Sequence, residues 1–169
     1  MLEQRHTKNE SGELLFELLR STLERKMQRE RVATALLTEK QVREEHKTIK
    51  INLGRQAGHT TASAKLFDEY KNILIITNNE ELAQHTRERL GDNYISNIYD
   101  RQFRDELNEK VLSESAVLKA GPLYWTTLHT DGSKMMPDIV ILDCASYSQL
   151  SESKLWKLFP EMQYLIMLS

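Results

Sequence analysis

Apolar residues along this chain fall into two patterns, one spaced as on a helix and one packed into short unbroken runs. Leu15, Leu18, Leu19 and Leu23 recur at helical spacing, Met27 extends their face, and Val32, Leu36 and Leu37 restore it after a charged stretch. No proline interrupts residues 11–47, which predicts one or two long helices there, with residues 1–10 a loose polar lead-in and Ser11 a possible helix cap. Thr38 and Gln41 have the spacing of a capping box, so a second helix is expected near Glu39. The heptad register is not sustained, and a helical layer packed beside a sheet is preferred to a coiled coil.

The unbroken runs come later. Residues 49–53, 73–77, 94–98, 138–142 and 164–168 are the short, mainly apolar candidate strands, and those at 73–77 and 138–142 have the apolar run expected of parallel strands covered on both faces. Helical spacing returns between them. Residues 60–70 offer Ala64, Leu66, Phe67 and Tyr70 for burial. Residues 80–90 offer Leu82, Ala83, Thr86 and Leu90, and Gly91 is expected to end that helix. Residues 101–114 offer Phe103, Leu107, Val111 and Leu112, and residues 151–159 turn Leu155, Trp156 and Phe159 inward. Residues 116–118 and 123–129 read as extended, with a turn signal at 130–133. Alternating strands and helices predict an α/β fold with three layers and a mainly parallel five-stranded sheet. Its boundaries are expected at residues 48–169, with residues 1–47 an N-terminal helical extension.

Composition narrows the class. A chain of 169 residues suits one domain, and 40% hydrophobic with 28% charged residues fits a folded protein. The net charge of -2 gives no global basic signature for nucleic acid, although a local basic surface stays open. Cys144 is the sole cysteine, which excludes a disulfide framework and points to a reducing compartment. No run approaches a membrane span or a signal-peptide core, so a cytoplasmic protein with no membrane partner is expected. His6, His46, His85 and His129 are scattered without metal-ligand spacing.

The candidate chemistry lies at residues 49–62, where a strand is followed by a glycine loop and a helix opening at His59. A helix N-terminus offers unpaired N–H groups and a positive dipole end to an anion. Gly54, Arg55, Gln56, Ala57, Gly58, His59, Thr60 and Thr61 are the candidate phosphate-binding residues. Thr60 stands where a hydroxyl can hold Mg²⁺. Some 85 residues on, Asp143 ends an apolar strand and is placed to hold the same ion. Both features sit at C-terminal strand ends, where α/β sheets bind ligands.

The stretch from Asn52 to Thr61 resembles the phosphate loop of the large terminase subunit, the DNA-packaging motor of tailed phages, which commonly carries Arg-Gln before Gly-Lys-Thr/Ser. Residues 138–146 are similar to the second nucleotide motif of that group, an apolar strand followed by Asp-Glu-Ala. Residues 73–90 resemble the segment after the loop in terminases and related helicases, and residues 164–169 the strand of their coupling motif. The resemblance covers residues 39–169 and implies a P-loop NTPase domain of RecA-like fold, with ATP and Mg²⁺ as ligands and a role in nucleic-acid handling or DNA packaging in the host-cell cytoplasm. No nuclease domain is expected. Gln41 is the candidate for the family's adenine-reading glutamine, at a short spacing.

Two departures weaken the implied activity. His59 replaces the loop lysine, which offsets phosphate charge, and Cys144 replaces the catalytic glutamate after Asp143. Losing such groups costs factors of hundreds or more in rate. The expectation is a pseudo-ATPase, with weak nucleotide binding, negligible hydrolysis and no catalytic residue assigned beyond Asp143 and Cys144 at the acid positions. A second reading stays open. The chain could be a non-catalytic interaction or scaffold protein that keeps the fold and engages a protein partner through its charged N-terminal helix.

Overall fold

The computed structural model describes the backbone of residues 2–33, 37–54, 58–70, 72–94, 107–127 and 137–169, and the side chains of 10–29, 37–54, 58–70, 72–91, 107–120 and 137–169. Helix α1 spans Leu2–Ala33. A short α2, Glu39–Gln41, continues into a π-helical turn, Val42–Lys47. The alternation then begins: β1 Thr48–Ile51, α3 His59–Glu69, β2 Ile73–Thr77, α4 Glu80–Tyr94 and β3 Val111–Ser113. It closes with α5 Glu114–Thr127, β4 Ile139–Leu142, α6 Glu152–Leu158 and β5 Tyr164–Leu168.

The five strands form one sheet in the order β1-β5-β4-β2-β3, and every pairing is parallel. Its central strands have the burial that unbroken apolar runs imply, with all of β2 and β4 buried. Successive side chains point to opposite faces. Ile73 and Ile75 of β2, with Ile139 and Ile141 of β4, join Leu66 of α3 and Ala83 and Leu90 of α4 on one face. Leu74, Ile76, Val140 and Leu142 join Val117 of α5 and Leu155 and Trp156 of α6 on the other. These are the three layers of the expected α/β fold.

α1 belongs to the first of these cores. Leu15, Leu19 and Leu23, at helical spacing, are 2%, 0% and 0% exposed and pack with α3 and the sheet. The N-terminal helix is thus a cover on the α3 side of the sheet. It also starts earlier than expected, since its backbone is helical from Leu2 and runs straight through Ser11. The capping box forms as read: the Gln41 N–H donates to Thr38 Oγ1, and the Thr38 N–H donates to Gln41 Oε1 at 3.0 Å.

Three local readings are corrected. The third strand was expected at residues 94–98, but Tyr94 is the last residue of α4, and residues 95–98 lie outside the described ones. The strand beside β2 is Val111–Ser113, inside a stretch read as helical. Three residues are too few to show a period of their own, and Leu107 with Val111 mimics an i, i+4 pair. Residues 116–118 and 123–127, read as extended, belong to α5. Gly91 does not end α4, which runs on to Tyr94.

The connections fix where a ligand can sit. α3 and α4 carry the chain from β1 to β2 and from β2 to β3 on one face, while α5 and α6 bring it back to β4 and β5 on the other. The chain therefore leaves β1 and β4 toward opposite faces. Such a reversal opens a crevice beyond the C-terminal strand ends. Residues 52–54, Gly58, His59 and Asp143 lie there.

Candidate functional site

The loop after β1 is anchored first by backbone. The N–H groups of Leu53 and Gly54 both donate to the Ser169 carbonyl, at 2.8 and 3.0 Å, and the Ser169 N–H donates to the Ile51 carbonyl. Gly54 has φ +75°, and Gly58, immediately before α3, has φ +81° and ψ 23°. Left-handed backbone of this kind costs a side-chain-bearing residue energy, so glycine fits both positions. Gly58 is also touched from outside. A Cβ there would lie 2.5 Å from the α-carbon of Gly12 in α1, so helix and loop meet backbone to backbone.

α3 opens at His59 with no side chain capping it. Its first N–H groups have no intrahelical acceptor, as at any helix start. His59 and Thr60 reach the wall of a cavity of about 560 Å³. Thr61 borders the same cavity but abuts α1, since a Cβ on Gly12 would lie 2.6 Å from its Cβ. Arg55, Gln56 and Ala57 lie outside the described residues.

The acid comes from β4. Asp143 follows the last strand residue, its N–H donates to the Ile76 carbonyl at 2.9 Å, and it is 6% exposed. His59 Nδ1 stands 3.3 Å from Asp143 Oδ1, with the two side chains 10% and 9% exposed. This is ion-pair distance without hydrogen-bond alignment. Asp143 Oδ1 and His59 Nε2 are therefore both buried without a hydrogen-bond partner, as is Ser63 Oγ one turn further along α3. Buried polar atoms are rarely left so, and His59 and Asp143 also border the cavity. Cys144 has φ 61° and is the one non-glycine with positive φ among the described residues. It leads into a 3₁₀ turn, Ala145–Tyr147, where the Tyr147 N–H donates to the Cys144 carbonyl. Strained backbone of this sort clusters at functional sites.

The α4 side of the cavity is one that the sequence reading passed over. Asn78 precedes α4, and Leu82, His85 and Arg89 follow on that helix, all four bordering the cavity. Leu82 was expected in the core, but it is 37% exposed, and only Ala83, Thr86 and Leu90 of the expected inner face are buried. The signal was present in the spacing of 82, 85 and 89, a stripe adjacent to that of 83, 86 and 90. Gln41, by contrast, is engaged in its capping box and does not border the cavity.

Among the described residues there is no cluster of three or more metal-ligating side chains, and no helix is long and apolar enough to cross a membrane. No protein-family model and no curated protein sequence matches the chain.

Proposed function

We propose that this chain is a P-loop ATPase domain of the terminase and helicase type, phage-encoded, that binds nucleotide weakly and hydrolyses it little. One observation carries the reading: His59 Nε2 and Asp143 Oδ1 are buried without hydrogen-bond partners, in residues that border the same cavity as the uncapped start of α3. In this reading residues 54–61 receive the phosphates of ATP. Thr60 and Asp143 fit Mg²⁺, since both are hard oxygen donors bordering the cavity and Asp143 Oδ1 accepts no hydrogen bond. The ion, when bound, offsets phosphate charge. His59 touches the carboxylate that would serve the ion, and Cys144 offers no carboxylate to orient an attacking water. The domain then serves nucleic-acid handling or DNA packaging by occupancy rather than by turnover.

Calorimetric titration with ATP and Mg²⁺ tests this. Binding is expected with a Kd in the range of about 0.1–1 mM, roughly 4–5 kcal/mol. Absence of binding at millimolar nucleotide would overturn the reading. Steady-state hydrolysis is expected to stay well below about 1 s⁻¹, the low end of ordinary enzyme turnover. The scaffold alternative would have to use the exposed face of α1, with its charges and Leu14 and Leu18, since Leu15, Leu19 and Leu23 are core.

A further inference from the structure

We propose that His85 and Arg89 of α4 are ligand-binding residues that hold the phosphate chain of the nucleotide from the α4 side of the cavity. The proposal rests on the nucleotide reading above and adds to it where the missing positive charge comes from. α4 divides its side chains three ways. Ala83, Thr86 and Leu90 are buried. Arg87 is committed, donating to the Val111 carbonyl at 2.9 Å and to Glu80 Oε1 at 2.8 Å. His85 and Arg89, four residues apart, border the cavity, and neither has an ion pair or hydrogen bond among the described residues.

Donor groups around the cavity suit an anion. Among the described residues, Arg89, the imidazoles of His59 and His85 and the positive end of α3 border it with one side-chain carboxylate, Asp143, which His59 already touches. The loop lacks the lysine that the terminase-like pattern places at residue 59, and among the described residues the fixed cation bordering this cavity is Arg89. A guanidinium is always charged and its fork matches phosphate oxygens. An oligophosphate chain in the cavity would thus be met by backbone N–H groups at the start of α3 and by Arg89 and His85 from α4.

The test is calorimetry on the full chain with ATP, ADP and AMP in the presence of Mg²⁺. Arg89→Ala is expected to weaken ATP binding about 10-fold or more, the scale of one charge-assisted contact, with a smaller loss for AMP. His85→Ala should weaken ATP binding less, and Arg89→Lys should keep part of the affinity. Arg25→Ala removes the same charge from an exposed position on α1 outside the cavity and should leave binding as it was. Melting temperatures of the Arg89 and His85 variants should match the parent, since neither side chain makes a described contact. If the parent binds ATP and Arg89→Ala binds it equally well, the α4 wall takes no part and only this proposal falls. If the parent does not bind ATP, the nucleotide reading falls and takes this proposal with it.

Discussion

Position 12 shows how little space separates α1 from the candidate loop. A Cβ at Gly12 would come within 2.6 Å of Thr61 Cβ and 2.8 Å of its Cγ2, closer than side-chain carbons approach. Gly12→Ala is therefore expected to push the helix outward and cost about 1–3 kcal/mol, the usual range for overpacking. Urea unfolding of the variant checks this; an unchanged midpoint would mean that α1 is not seated there. The same residue scale shows what the sequence could disclose. His59, Thr60 and Asp143 were legible because a strand, a glycine loop, a helix start and a strand-end acid each leave a local pattern. The contact between His59 and Asp143 was not legible, because 84 residues and the sheet order separate them. Nor was the left-handed backbone of Cys144, a conformation that a cysteine does not announce.

At the scale of elements, length decided what could be read. β2, β4 and β5 are four- and five-residue runs packed between two layers, and covering both faces leaves an apolar run with no polar interruption. β3 has three residues and drew its apolar pair from what looked like a helix stripe. It is tied to α4 through Arg87, whose partner Glu80 has its carboxyl pKa lowered, first by the hydrogen bond from Arg87, then by one from Ser113, against an opposing effect of desolvation. A carboxyl with a lowered folded-state pKa stabilises the fold above its unfolded pKa, and that contribution is lost as pH falls through the folded value. Removing the charge should therefore cost stability at neutral pH and nothing at strongly acidic pH. Because Glu80 is largely exposed, Glu80→Gln is expected to cost about 0.5 kcal/mol at pH 7. The difference from the parent should close below about pH 4, the ordinary carboxylate range. Chemical denaturation at pH 7 and pH 3 checks the sign, and a cost that grows on acidification would refute it.

For the molecule as a whole, the N-terminal helix is a structural layer. Leu19 and Leu23 are fully buried against α3 and the sheet, so Leu19→Ala should cost about 2–5 kcal/mol, as core truncations to alanine do. Deleting residues 1–37 would uncover that whole core face. The shortened chain is expected to lose cooperative thermal unfolding, and a sharp two-state melt would show that the sheet stands without its cover. Helical spacing identified Leu15, Leu19 and Leu23 as one face, but spacing is the same whether that face meets a partner or the chain's own sheet. Only the packing settles it.

The backbone contact between Gly12 and Gly58 has a consequence that reaches further than stability. α1 touches the chain on both sides of β1: at Gly58 after it, and before it through Lys26, whose ammonium donates to the Glu45 carbonyl at 2.6 Å. With two α-carbons meeting and no side chain between them to absorb displacement, the helix and the loop have no slack. A loop that closes around a bound anion must move α1 or be held open by it. Occupancy of the cavity is then written into the amide exchange rates of α1, a helix of which no described residue borders the cavity. Saturating ATP should change deuterium uptake between residues 10 and 27 by a measurable factor, whereas α6, on the other face of the sheet and away from the cavity, should exchange at its ligand-free rate.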